Sequence, residues 1–101
     1  MFEELHQGDI LKIERVKYSV LVVSKDFFNL SGEIVGCPIY DNSVKSPLHI
    51  FIETEQMQGY VQCEKLTLLD LSVRGYKKID QVALGQRINI VDAIQGIFDY
   101  V

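Results

Sequence analysis

The sequence predicts a mainly β domain closed by one C-terminal helix, a small, partly open barrel or curled sheet. Three observations predict it. Short runs rich in Ile, Val and Leu recur, some with the two-residue alternation of a half-buried strand. Turn residues interrupt these runs at short intervals, and the apolar spacing becomes helical only from about Leu84. A chain of 101 residues is close to the commonest size of a single domain, so one core is expected over residues 1–101.

The first strand is Ile10–Glu14, opened by the turn signal Gly8-Asp9, with Leu11 and Ile13 facing away from Lys12 and Glu14. Arg15-Val16-Lys17 leaves room only for a short connection before Tyr18–Val23, which is apolar on both faces and reads as a central strand. Asp26–Leu30 is too short for a stable helix and reads as one helical turn, with Ser31-Gly32 reversing the chain. Glu33–Ile39 is the third strand; its Pro38 lacks an amide donor and belongs at the strand's end or on an edge.

Asp41–Pro47 is the longest polar stretch and the expected mobile loop. Leu48–Glu53, Tyr60–Cys63, Leu66–Leu71 and Lys77–Ala83 complete the strands, and Gln56-Met57-Gln58 reads as an exposed turn without a role. In the helix, Leu84, Ile88, Val91, Ile94 and Phe98 share one stripe that is expected to pack on the sheet. That packing must offset Gly85 and Gly96, each costing about 1 kcal/mol relative to Ala.

Composition excludes several classes. Hydrophobic residues make up 48% and charged residues 24%, which supports a folded, soluble core without staples. No apolar run nears the ~18 residues of a membrane span, and the start, Met1 to His6, is not a secretory signal. Cytoplasmic residence is the expectation. Cys37 and Cys63 read as buried free thiols. With His6 and His49 they show no recognised zinc spacing, so neither metal nor cofactor is expected. A net charge of −4 opposes a surface that grips phosphate all over, but leaves room for a local basic groove.

Several segments, in order, resemble the MazF/PemK toxins of bacterial toxin–antitoxin systems. They are Gly8-Asp9-Ile10, Val20–Ser24 with Asp26 and Asn29, Cys37-Pro38-Ile39, Leu48–Glu53, Glu64–Asp70 and Lys78–Val82. The resemblance covers nearly the whole chain, through its ordered set rather than through any single motif. It implies an SH3-like, partly open barrel of the MazF/PemK/CcdB type, a homodimer, and neutralisation by an antitoxin. It implies cofactor-free cleavage of single-stranded RNA, with possible DNA association through the antitoxin complex. The family's usual Arg-Pro pair entering the second strand is Tyr18-Ser19 here, and its Thr or Ser after the third strand is Tyr40. The family's catalytic residues therefore carry over to no residue of this chain.

Other residues are candidates for that chemistry. Arg15 and Lys17 lie in the shortened connection and can bring charge to a phosphate, or serve as solvated hairpin residues. His49 can act as acid or base beside the polar loop, or as a structural histidine. Tyr40 can donate a proton, and Tyr18 can stack on an unpaired base, although strand tyrosines more often pack. Arg74, Lys77 and Lys78 form the densest basic cluster, fit for a nucleic-acid backbone or an acidic antitoxin tail, or simply a solvated face. Two functions compete: an endoribonuclease toxin with a rearranged site, and a non-catalytic toxin-fold protein. The second would act on a protein target, as gyrase poisons do, or through DNA-associated regulation.

Overall fold

A computed structural model describes residues 4–99; Met1 to Glu3 of the stretch read above as lacking a signal lie outside the described residues. The order is β1 (Asp9–Ile13), β2 (Ser19–Val22), α1 (Asp26–Asn29), β3 (Glu33–Tyr40), β4 (His49–Glu53), β5 (Gln58–Gln62), β6 (Thr67–Asp70), β7 (Tyr76–Gln81) and α2 (Leu84–Phe98). All strand pairs are antiparallel and run β4-β5-β3-β2-β1-β7, with β6 added to β3. Among the described residues β4 and β7 do not pair with each other, so the sheet curls without closing.

Strand β3 holds this arrangement together. One edge pairs with β2 from Gly36 to Ile39. The other edge pairs first with β6, from Glu33 to Gly36, and then with β5 at Ile39 and Tyr40. Cys37 and Pro38 fall where the partner changes. Pro38 thus lies inside the sheet opposite Val20, not at an end or outer edge, and its missing donor is tolerated at that break.

Two-residue alternation divides the side chains between two faces. Ile10, Leu21, Cys37, Ile39 and Val61 lie on one face and form a core with Ile90 of α2. Leu11, Val20, Val22 and Ile34 lie on the other face, packed with Leu5, Leu69 and Leu71. Cys37 and Cys63 are free buried thiols, and burial pushes them up to about 12 and about 11, which makes them poor nucleophiles.

The helix begins at Leu84 as the spacing predicts, but the face that packs is turned, so that of the expected stripe Ile94 meets the core. Ile90 is buried, with Ala93 and Ile94 against the same core. Leu84, Ile88 and Phe98 of the expected stripe are exposed by 59%, 49% and 70%. The helix is apolar on two faces, with Leu84 and Ile90 roughly 120° apart around its axis. Contact with one edge of the sheet can cover only one of them. The turn read at Gln56–Gln58 is also shorter than expected, because Gln58 already belongs to β5.

A Cβ at Gly36 would lie 2.3 Å from Cγ1 of Val20 and 3.2 Å from the Leu21 carbonyl oxygen. Gly36→Ala should therefore cost about 1–3 kcal/mol through overpacking between β2 and β3. Chemical denaturation monitored by circular dichroism will measure this as a lowered midpoint; an unchanged midpoint would show that β3 relaxes freely.

Candidate functional site

The face that carries the second core continues beyond Val20 onto an uncovered surface at one end of the sheet. Register puts Tyr40 opposite Tyr60 and His49 opposite Gln62 on that face, away from α2. The chain leaves β3 at Tyr40 and returns at His49, and its connecting loop closes a cleft of about 410 Å³. Tyr40, Ser43, Val44, His49, Gln62, Glu64 and Lys65 are among the residues that line it.

His49 is held on both sides. Its Nε2 lies 2.7 Å from Glu64 Oε2, and its Nδ1 lies 2.6 Å from the Val44 carbonyl oxygen and 2.9 Å from Ser43 Oγ. Two acceptors, one at each ring nitrogen, favour the doubly protonated ring. The Val44 carbonyl chiefly, then the Glu64 carboxylate, raise the His49 pKa above the ordinary imidazole value. His49 in turn holds the Glu64 carboxyl below its usual range. Gln62, which is buried, donates from Nε2 to Ser43 Oγ at 3.0 Å and so fixes the loop residue beside the imidazole.

Next to this pair lies a cationic and aromatic group. Lys65 Nζ donates to the Tyr40 hydroxyl at 3.0 Å, and that bond raises the lysine's pKa. The ammonium is 4.9 Å from the Tyr40 ring centre, so it sits closer to the hydroxyl than to the ring face. The Tyr40 and Tyr18 rings are 4.4 Å apart, and Lys17 Nζ stands 5.3 Å from the Tyr18 ring centre.

Of the residues singled out in the sequence, Tyr40 and His49 line the cleft, Tyr18 adjoins it through the Tyr40 ring, and Lys17 stands beside Tyr18. Arg15 does not line the cleft; it occupies the β1–β2 turn at φ +67°, a backbone region unusual for a residue with a side chain. Arg74 is exposed before β7, while Lys77 and Lys78 point to opposite faces of that strand. These three residues form no single basic track. Lys78 instead lies 3.2 Å from Oδ1 of Asp9, whose side chain is fully buried. Glu64, Lys65, Ser43 and Gln62 were missed. Gln62, Glu64 and Lys65 are 13 to 16 positions from His49 and reach it only through the β4–β5 pairing, whereas Ser43 lies in the β3–β4 loop that folds back over His49.

A larger cleft of about 480 Å³ lies between α1 and the start of α2, lined by His6, Gln7, Lys25, Asp26, Phe27, Gln81 and Arg87. Beside it Glu4, His6 and Asp26 bring three potential ligand atoms within 4.8 Å of one another, a grouping without a recognised metal spacing in the sequence. His6 Nδ1 is already 2.8 Å from Asp26 Oδ2, and the three side chains are partly or wholly exposed. The smaller cleft is the better candidate, because an acid–base pair, a lysine and an aromatic surface converge there. Among the described residues, no helix is long and apolar enough to cross a membrane.

Residues 7–98 match the family described as PemK-like, MazF-like toxin of type II toxin–antitoxin system. No curated protein matches the sequence. The fold is similar to that of a MazE–MazF structure from Deinococcus radiodurans, with a TM-score of 0.87, 14% identity, and 96% and 98% of the two chains covered. It is also similar to an endoribonuclease from a mycobacterial species, with a TM-score of 0.84, 15% identity and 97% and 94% coverage. A mycobacterial endoribonuclease in complex with its cognate antitoxin gives a TM-score of 0.81 at 15% identity, with 93% and 94% covered. At these identities the likeness to solved structures establishes the fold.

Lys78→Ala leaves the buried Asp9 carboxylate without its counter-charge and should cost about 3 kcal/mol. Lys77→Ala, at an exposed position, should stay within about 0.5 kcal/mol. Urea denaturation of the two variants will compare them; equal midpoints would mean that Asp9 needs no partner.

Proposed function

The chain belongs to the PemK-like, MazF-like toxins of type II toxin–antitoxin systems, and from that membership we propose that it is an endoribonuclease acting at the His49–Glu64 cleft. One observation carries the reading: a histidine and a carboxylate 2.7 Å apart, beside the Lys65 ammonium and the Tyr18–Tyr40 rings. Cleavage of RNA by its own 2′-hydroxyl needs a base, an acid, and positive charge near the phosphorane. Glu64 accepts the 2′-hydroxyl proton, and the His49 imidazolium protonates the departing 5′-oxygen. Lys65 and Lys17 supply charge to the phosphate, and Tyr18 stacks on a flanking base. Substrate must open the His49–Glu64 pair so that Nε2–H reaches the departing oxygen, and the phosphate's negative charge then replaces that of Glu64 beside the imidazolium. Arg15, Arg74 and Lys77 stand outside this group and serve at most to attract the polyanion.

The reading includes a cytoplasmic toxin that works as a homodimer and is neutralised by an antitoxin, with DNA contacted through the complex. The solved endoribonuclease–antitoxin complex is consistent with this partnership. A second reading, action on a protein target without catalysis, draws on the exposed apolar stripe of Leu84, Ile88 and Phe98 on α2. Growth arrest with intact RNA would favour it.

The experiment is primer extension on a long RNA incubated with purified protein in EDTA. Discrete cuts are expected, reduced about 10²–10⁴-fold in His49→Ala and Glu64→Gln; intact RNA, or cuts indifferent to both variants, would overturn the assignment. The pH profile has a definite sign. His49 keeps its proton to higher pH than a free imidazole, and Glu64 keeps its charge to lower pH than a free carboxylate. The value of kcat/KM, which reports the free protein, should therefore be flat between these values and fall as pH rises through the raised His49 value. Glu64→Gln removes one of the raising causes, so any residual activity should lose its alkaline limb at lower pH.

A further inference from the structure

Two aromatic pairs lie on the uncovered face, one on each side of the β3–β5 boundary. Tyr18 and Tyr40 have ring centres 4.4 Å apart, and Phe51 and Tyr60 have ring centres 5.2 Å apart. The strand register joins them. Tyr40 is the direct partner of Tyr60 in β5, and Tyr60 is the direct partner of Phe51 in β4. Directly opposed residues share a face, and Tyr18, just before β2, meets Tyr40 ring to ring, so the four rings form one row across the ends of β2 and β3 and over β5 and β4. With neighbouring strands ~4.8 Å apart, the row is about 14 Å long.

A row of this kind has no evident purpose in the core. Phe51 is 45% exposed and Tyr18 37% exposed, on the face opposite the one covered by α2. Close approach of the backbones sets the middle of the row: a Cβ at Gly59 would lie 2.7 Å from Ile39 Cγ2 and 2.9 Å from the Tyr40 carbonyl oxygen. The glycine lets β5 press against the end of β3, which fixes Tyr60 beside Tyr40.

We propose that Tyr18, Tyr40, Tyr60 and Phe51 form a stacking platform for two or three consecutive unpaired bases of single-stranded RNA. The proposal rests on the ribonuclease reading and extends it to substrate selection. Charge complementarity selects the occupant, because Lys17 and Lys65 flank the Tyr18–Tyr40 pair, where a strand laid along the row carries its phosphates. Sheet aromatics elsewhere stack two or three splayed bases in the same way, and stacking accepts any base because every base has a π-face. His49 lies two residues before Phe51 on the same face of β4, and its neighbour Gln62 lies two residues after Tyr60. The row therefore runs beside the acid–base pair, two residues or about 7 Å away along the strands. A duplex keeps its bases stacked internally and offers no π-face to such a row, so the platform selects unpaired RNA.

The test measures binding separately from cutting. The probe is a fluorescein-labelled, fully 2′-O-methylated single-stranded RNA of mixed sequence, which cannot be cleaved, followed by anisotropy with the full chain. Phe51→Ala and Tyr60→Ala should each weaken binding on the order of tenfold. Phe51→Trp and Tyr60→Phe should retain it, and an unlabelled duplex should not compete. Phe27→Ala, an exposed ring on α1 away from the row, should change nothing. If these losses occur but RNA is never cleaved, the platform stands and the nuclease reading alone fails. If RNA is cleaved while Phe51→Ala and Tyr60→Ala bind and cut like the parent protein, the platform is overturned and the nuclease reading survives. A Phe51→Ala protein that changes its oligomeric state by size-exclusion chromatography, with RNA binding unaltered, would make the row a protein contact and also overturn the proposal.

Discussion

Strand β3 is paired along both edges and exchanges one neighbour for another along its length, and the rest of the molecule depends on how that is achieved. A continuous strand with three partners needs close backbone approach where they meet, and it needs a break in the hydrogen-bonded ladder. Gly36 provides the first, because a side chain there would overlap Val20. Pro38 falls at the second, where a missing donor costs least. The break lets β6 end and β5 begin along the same edge of β3, opposite β2. It also leaves Tyr40 paired with Tyr60 at the end of β3, where the loop that closes the cleft begins.

The two faces of the sheet have different fates. One face receives α2 through Ile90 and becomes a closed core. The other is filled only along part of its length, by Leu5, Leu69, Leu71 and their neighbours, so its far end stays open to solvent. Groups with unequal tasks collect at that end. Glu64 and His49 stabilise each other's charge, Lys65 is anchored by a tyrosine hydroxyl, and buried Gln62 fixes the loop serine. Preorganised charges and donors of this sort cost little to reorganise when a charged substrate arrives, which is the physical basis of the proposed chemistry.

Much of the fold was legible in the sequence. Alternation located Leu11 and Ile13 on one face of β1, and the change of period at Leu84 marked the helix start. The helix face was misjudged because α2 is apolar on two sides, and periodicity cannot say which side meets the sheet. Pro38 was expected at an edge for a sound local reason, but a partner switch inside a sheet is a tertiary event with no local signal. The candidate site was half visible. His49, Tyr18 and Tyr40 could be picked out by residue type and by their place in the ordered resemblance. Glu64 and Lys65 were ordinary charged residues until the β4–β5 register carried them to His49. Lys78 shows the reverse, a lysine in a basic cluster that is engaged with a buried aspartate.

The central claim is that function resides on the sheet face that α2 leaves uncovered. Amide and aromatic chemical-shift mapping by NMR, with an uncleavable single-stranded RNA titrated into the labelled protein, tests this most directly. Perturbations are expected at Tyr18, Tyr40, Phe51, Tyr60 and Lys65, and at the His49 imidazole. Perturbations confined to α2, or to Arg74 and Lys77 before and along β7, would contradict it.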